Sequence, residues 1–273
     1  MKLVRLYLYY IRSYLQYRWL KARFGGKFSS PVVYYDVGSA GGPPAMLRFL
    51  MRDGIINFIG FEPGDDGWAT GRGKFNRFFR IPPYREIKVA LGEQDTEAQL
   101  HITRHPGCSS LFPPNADIVK HIPIREYFDV VKTEKVVLRH LAGVIEGEAL
   151  PAPEMLKIDT QGYEYQVLSG LGSRIDSVVC IQAEAHFKEL YAGQKTFCAL
   201  NEFLMGHGFR LIEIKRQGFF GDELIEADAF WAREPRNERE KFLFSLWLEI
   251  NDLPKAKNYD AVRKHVKKHF VEG

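Results

Sequence analysis

The residues best suited to chemistry in this 273-residue chain begin with the heptapeptide DVGSAGG at positions 36 to 42. It follows the β-branched and aromatic run Val32 to Val37 directly and precedes a helix opened by Pro43 and Pro44. Strand, tight glycine turn and helix N-terminus together let backbone approach a bound nucleoside closely. Gly38 permits the turn, and the missing Cβ at Gly41 or Gly42 leaves room where a ligand sits. Roughly twenty residues further on, Glu62 ends the apolar run Ile56 to Phe61, where a carboxylate can accept both hydroxyls of an adenosine ribose. Glycine turn and acid together do not say which nucleoside cofactor is held.

The elements that must position these groups follow from the alternation of short apolar runs with helical patterns. From Pro31 onward this is the arrangement of βαβ units around a mostly parallel sheet. Val32 to Val37, Ile56 to Phe61, Ile87 to Leu91, Met155 to Asp159, Val178 to Ala183, Phe209 to Ile214 and Ala227 to Ala232 read as the seven core strands. Gln99 to Thr103 and Lys135 to Leu138 read as peripheral ones. The last two core runs leave no room for a crossover helix, so they are expected to pair as an antiparallel hairpin at one edge. Met46, Leu47, Leu50 and Met51 share one face of a helix closed by Gly54, and Phe197, Leu200 and Leu204 repeat the pattern before Gly208. Residues 105 to 134, with Pro106, Gly107, Pro113, Pro114 and Pro123, follow neither period and read as a long irregular excursion of the kind that covers a site.

Residues 156 to 170 read LKIDTQGYEYQVLSG. This segment resembles the K-I-D-x-E-G-x-E-x-x-V-L-x-G signature of the FkbM-type methyltransferases, a branch of the class I S-adenosylmethionine-dependent enzymes. The resemblance runs in order through DVGSAGG, GFEP at 60 to 63, VALGE at 89 to 93, CSSL at 108 to 111 and QAEAHF at 182 to 187, covering about residues 32 to 233. It implies a Rossmann-like class I methyltransferase fold: an α/β architecture with a mostly parallel seven-stranded sheet, an antiparallel edge hairpin and helices on both faces.

Carried over position by position, the resemblance implies that Asp36, Gly38, Ser39 and Gly42 lie against the methionine end of S-adenosylmethionine. Glu62 would hold its ribose, Ala90 and Leu91 would lie near the adenine, and Asp159 would face the sulfonium or the acceptor. Within the signature, Gly162 would supply a tight turn, Glu164 would cap or salt-bridge the helix start, and Val167 and Leu168 would be core. Three positions depart from the family pattern: Ala40 stands where Asn is common, Gln161 where Glu is common, and Thr160 is a minor variation. With one carboxylate fewer beside Asp159, a paired-acid metal site is not expected, and no metal is required.

Methyl transfer from a sulfonium is an in-line displacement with a good leaving group already in place, so the protein mainly aligns the acceptor and removes its proton. An unactivated hydroxyl needs a general base near the cofactor, which singles out Asp159, Glu184 and His186 as catalytic candidates. Glu184 and His186 follow the run Val178 to Ala183, and residues two apart at a strand end point to one side. The expected activity is O-methylation of a hydroxyl on a sugar, glycolipid or related small metabolite, an acceptor class implied by the resemblance alone. Two rivals stay open: an NAD-dependent oxidoreductase using the same glycine turn and Glu62, and a non-catalytic adaptor that keeps the fold.

Composition sets the bounds. Hydrophobic residues make up 45% and charged residues 26% of the chain, which allows a real core and excludes a disordered protein. Cys108, Cys180 and Cys198 form no CxxC pair or zinc-ligand spacing, so each reads as a small buried side chain in a reducing, cytoplasmic setting. Lys2, Arg5, Arg12, Arg18, Lys21, Arg23 and Lys27 stand in the first thirty residues without an acid, while the whole chain carries only +4. The body is therefore slightly acidic, and nucleic acid is not an expected partner.

Three parts are expected: a basic aromatic helical arm over 1 to 30, a methyltransferase domain over 31 to 235, and a helical extension over 236 to 273. The extension has Phe242, Leu243, Leu246 and Trp247 on one face and a basic end at Lys264 to Lys268. The arm has two readings. It packs on the body through its Tyr and Trp rings, with Arg5, Arg12 and Arg23 on a solvated stripe, or it lies as a peripheral anchor on anionic lipid.

Overall fold

Alternation of buried and solvated positions, broken by glycine and proline turns, produces two sheets. The computed structural model describes residues 2–27, 30–64, 83–216, 220 and 222–253, with the side chains of residues 2–7 (Arg5 among them) outside the description. The basic end expected at Lys264 to Lys268 also lies outside the described residues.

The main sheet is built from β1 (Val32–Val37), β2 (Ile56–Phe61), β3 (Arg85–Ile87), β7 (Met155–Ile158), β8 (Cys180–His186), β9 (Phe209–Arg216) and β10 (Glu226–Arg233), in the order β3-β2-β1-β7-β8-β10-β9. From β3 to β8 neighbours are parallel, and β10 runs antiparallel to both β8 and β9. The expected hairpin is there, because β9 and β10 are too close in sequence for a crossover. This is the Rossmann-like class I methyltransferase arrangement.

Helices cover both faces. On one face Tyr35, Val37, Ile59, Leu156, Ile158, Ile181 and Ala183 pack against α3 (Leu141–Gly147), α4 (Glu164–Ser169) and α5 (Phe197–Gly206). On the other, Tyr34, Phe58, Met155, Cys180 and Phe230 pack against α1 (Lys2–Phe24), α2 (Ala45–Arg52) and α6 (Glu238–Ile250). Each such buried Leu, Ile or Phe contributes about 1.5–3 kcal/mol before chain entropy is set against it. Residues 45 to 51 of α2 are buried throughout, since the helix is sandwiched between the sheet and α1. Gly54, at φ 68°, ends it.

Several expected boundaries differ. The run Ile87 to Leu91 is not one strand: β3 stops at Ile87, and β4 (Ala90–Gly92) leaves for a second sheet of order β4-β6-β5. There it pairs with β6 (Val130–His140), which pairs antiparallel with β5 (Thr96–Thr103). Both peripheral strands are longer than expected, and the irregular excursion ends at Asp129. β8 continues past Ala183, so Glu184 and His186 are strand residues paired to β10 and not loop residues beyond it. Cys108 and Cys180 are buried as expected, but Cys198 is exposed on α5.

Candidate functional site

Along one face of the main sheet, side chains change from apolar to charged toward the carboxyl edge. Tyr34 is succeeded by Asp36, Met155 by Lys157 and then Asp159, and Cys180 by Gln182, Glu184 and His186. On β10 the register places Asp228 opposite Glu184 and Glu226 opposite His186. A two-residue period on adjacent strands thus brings five carboxylates together at the edge, with Lys157 and His186 as the accompanying bases.

Lys157 Nζ lies 3.3 Å from Asp36 Oδ1 and 3.3 Å from Asp159 Oδ2, tying the first strand end to the fourth. Burial pushes the Asp36 carboxyl up and the Lys157 ammonium pulls it partly back. Burial acts against the Lys157 charge as well, but Asp36 and Asp159 outweigh it and raise the Lys157 pKa. This lysine, the first residue of the K-I-D signature, interrupts the otherwise apolar strand LKI, and that interruption is the signal in the sequence for its place among the acids.

Gln161 holds the next pair. Its backbone is left-handed at φ 55°, and Gly162 follows at φ 95°. The turn is locked by Glu164, whose Oε1 accepts the N–H groups of Thr160 (2.9 Å) and Gly162 (3.2 Å) and the Thr160 hydroxyl (3.2 Å). Glu164 therefore caps the turn. From there the Gln161 side-chain N–H2 donates to Asp159 Oδ1 at 3.1 Å and, in a short hydrogen bond, to Glu184 Oε2. The Tyr191 hydroxyl, 2.9 Å from Gln161 Oε1, sets which end of the amide faces the acids.

Glu184 is buried, and its pKa is raised well above the ordinary carboxylate value by burial first, then by Asp159, Glu226, Glu164 and Asp228. His186 is also buried. Its Nε2 stands 3.3 Å from Glu226 Oε2 and 3.8 Å from Glu184 Oε2, and its Nδ1 has no hydrogen-bond partner among the described residues. Glu184, His186 and Glu226 offer one ligand atom each within 4.8 Å of one another, a donor set with metal-binding composition. The Glu184 oxygen facing the imidazole is, however, the one that accepts the Gln161 amide, so an ion here would displace that hydrogen bond.

The glycine turn lies beside this row. Gly38, Gly41 and Gly42 have φ of 77°, 78° and 66°, conformations that disfavour any Cβ. A Cβ on Gly38 would meet the Asp159 carbonyl oxygen at 1.9 Å, so this glycine lets β1 and β7 close on each other. A Cβ on Gly42 would meet the Tyr84 hydroxyl at 2.3 Å, so the space beside Gly42, expected to be the ligand's, is taken by Tyr84. Arg48, buried, braces the turn by donating from Nε to the Pro43 carbonyl at 2.6 Å. Ser39 Oγ is buried without a hydrogen-bond partner among the described residues. Glu62 stands at the end of β2 with Oε1 accepting the Gly64 N–H at 2.9 Å.

Asp36, Gly38, Ser39, Glu62 and Asp159 thus share the carboxyl edge, joined there by Glu184 and His186. Ala90 and Leu91 lie past the end of β3 at the start of the second sheet, both buried, with the Leu91 side chain in the main core. Lys157, Tyr191, Glu226 and Asp228 were not singled out from sequence, and Gln161 only as a departure from the family pattern. The excursion contributes cover: Ser110 donates to the Gln161 carbonyl at 2.6 Å, and Cys108, Ile122 and Phe128 pack with Leu190 and Tyr191.

Several solved structures share a remote likeness. A precorrin-6y C5,15-methyltransferase from Geobacter metallireducens GS-15 is 10% identical over 80% of this chain and 87% of its own, with a TM-score of 0.37. A Burkholderia thailandensis 1,6-didemethyltoxoflavin-N1-methyltransferase, solved with S-adenosylhomocysteine, is 11% identical over 80% of this chain and 78% of its own, TM-score 0.37. A human methyltransferase 10 domain containing protein is 10% identical over 81% of each chain, TM-score 0.36. Likenesses this distant bear on neither cofactor nor acceptor, and no curated protein matches the chain. The profile of the methyltransferase FkbM domain does match, across residues 36–211, from the first acid of the glycine turn to the third residue of β9. With more than half of its length in that match, the chain belongs to the FkbM-domain methyltransferase family.

Proposed function

We propose that this methyltransferase uses S-adenosylmethionine and methylates a hydroxyl of a sugar, glycolipid or related small metabolite. The observation that carries the reading is the acid-rich carboxyl edge next to a glycine turn that buries a hydroxyl, Ser39 Oγ, with no hydrogen-bond partner among the described residues. Such an edge favours a cationic ligand and repels a pyrophosphate, which counts against the NAD-dependent alternative. Asp36, Ser39 and the backbone of 38 to 42 would hold the amino-acid end of the cofactor, Glu62 its ribose hydroxyls, and the chain at Ala90 and Leu91 its adenine. When bound, the cofactor supplies a methyl group on a positively charged sulfur that departs as a neutral thioether.

The chain's own residues then have the acceptor proton to remove. Asp159 is the more accessible acid, with 36% of its side chain exposed, and Lys157 and Gln161 hold its two oxygens in place. Glu184 holds a proton more readily than an ordinary carboxylate, because burial and the neighbouring acids raise its pKa. We assign the base to this pair, with His186 and Glu226 behind Glu184 to share the proton. Base help of this kind is worth about 100 to 10,000-fold in rate. No metal enters the proposal, since the Gln161 amide supplies the positive hydrogens between the two acids.

Calorimetric titration tests the cofactor assignment. S-adenosylhomocysteine is expected to bind the purified protein, NAD is not, and Glu62→Ala is expected to weaken the former by about tenfold or more, the loss of one or two charged hydrogen bonds. Indifference to S-adenosylhomocysteine at millimolar dose would remove the reading. Full turnover in all of Asp159→Ala, Glu184→Ala and His186→Ala would remove the assignment of the base.

A further inference from the structure

α1 is amphipathic twice over. Ser13, Tyr17, Leu20 and Phe24 are buried, with the Tyr17 ring tilted against Phe49 of α2 and the Phe24 ring edge-on to Phe242 of α6. On the opposite side Leu8, Ile11, Leu15 and Trp19 repeat at three- and four-residue spacing and are 58%, 40%, 63% and 43% exposed. A contiguous outward apolar stripe on a helix already docked by its other face is not explained by folding. On a helical wheel, Arg12 and Arg18 flank this stripe on either side, and both are exposed. Lys21 and Arg23 are instead tied to the body, at 2.5 Å from Asp53 and 2.9 Å from Glu249.

The helix is also oriented with respect to the site. The Ala45 N–H at the first residue of α2 donates to the Tyr9 hydroxyl at 3.3 Å, while Tyr17 donates to Asp53, just past the last residue of α2, at 2.6 Å. α1 therefore runs alongside α2 in the same direction, with its N-terminal half level with the glycine turn that α2 follows.

We propose that the outward face of α1 seats on an anionic lipid bilayer and sets the carboxyl edge of the sheet, level with the N-terminal half of α1, beside the headgroups, so that the acceptor is drawn from the membrane interface. The last clause rests on the methyl-transfer reading of that edge; the docking itself does not. Leu8, Ile11, Leu15 and the Trp19 ring enter the headgroup boundary, where tryptophan is favoured, and Arg12 and Arg18 meet lipid phosphates. Charge complementarity selects this occupant: the first thirty residues hold seven cations and no acid, and Arg12 and Arg18 beside the stripe are both exposed. No described helix is long and apolar enough to cross a membrane, so α1 lies on the surface.

Sedimentation of the full chain with vesicles tests this, using phosphatidylcholine alone and phosphatidylcholine mixed with phosphatidylserine, at low and high salt. Binding is expected with the anionic vesicles only, and is expected to weaken with salt. Arg12→Ala with Arg18→Ala is expected to weaken binding on the order of tenfold or more, and so is Ile11→Asp with Leu15→Asp, with melting temperature and S-adenosylhomocysteine affinity unchanged. Absence of wild-type binding at low salt, or undiminished binding by the Ile11→Asp/Leu15→Asp variant, overturns the proposal. Self-association that this variant abolishes overturns it too, because a second copy would then cover the stripe. Failure of vesicle binding with intact S-adenosylhomocysteine affinity condemns the docking and leaves the cofactor reading standing.

Discussion

Replacing Gln161 by glutamate exchanges the amide that donates to two acids for a third acid of the same shape. At the 3.1 Å separating Gln161 Nε2 from Asp159 Oδ1, two like charges repel by about 5 kcal/mol at an effective dielectric of about 20. Asp159 is partly exposed and water screens that side, so the buried Glu184 dominates. The chain avoids most of the repulsion by retaining a proton, which transfers the loss into pH dependence. A carboxyl whose folded pKa is raised binds its proton more tightly folded than unfolded. The native state is then least disfavoured below the unfolded value, about 4.3, and stability falls as pH rises through the folded value. Gln161→Glu is thus expected to lose about 3 kcal/mol at pH 8 and only about 1 kcal/mol near pH 5, where one hydrogen bond is still missing. Urea denaturation of both proteins across that range measures the difference. A loss that stays constant with pH, or no loss at all, would show that Gln161 does not keep these acids apart.

Other expectations follow from the same geometry. Gly38→Ala places a Cβ against the Asp159 carbonyl in a left-handed backbone, so a loss of about 3 kcal/mol or more, or failure to fold, is expected in thermal melts. Glu184→Gln keeps the shape and removes a carboxylate whose ionised form burial disfavours, so its stability is expected to match or exceed the wild type above neutral pH while turnover falls about 100-fold or more. Activity with saturating acceptor is expected to survive exhaustive chelation; loss on chelation and recovery with magnesium or manganese would place an ion among Glu184, His186 and Glu226.

What the sequence by itself determined is local. Periods of two and of three to four residues, glycine at positions that need positive φ, and acids at strand ends are all properties of a short window. From them most of the strands, the edge hairpin, the turn at 38 to 42, and Glu62 and Asp159 as acids at strand ends were readable. The alternation also placed Glu184 and His186 on one side, although their strand runs three residues further than its apolar run suggests.

Only the tertiary structure decided which residues meet. Glu226 faces His186, and Asp228 faces Glu184, because of the register of two antiparallel strands some forty residues apart in sequence, and a one-residue slip would separate them. The break between Ile87 and Ala90 has the same origin: an apolar run looks continuous, but its two halves pair with different sheets. Gln161 reads as a lost acid in sequence and becomes a bridge only where Tyr191, thirty residues on, orients its amide. On α1 the aromatic residues divide between a buried and an outward face because α2 and α6 occupy one side, and nothing in thirty residues of chain says which side that will be. Pattern is set by neighbours along the chain, whereas charge balance at a site is set by neighbours across space, and the chemistry here depends on the second.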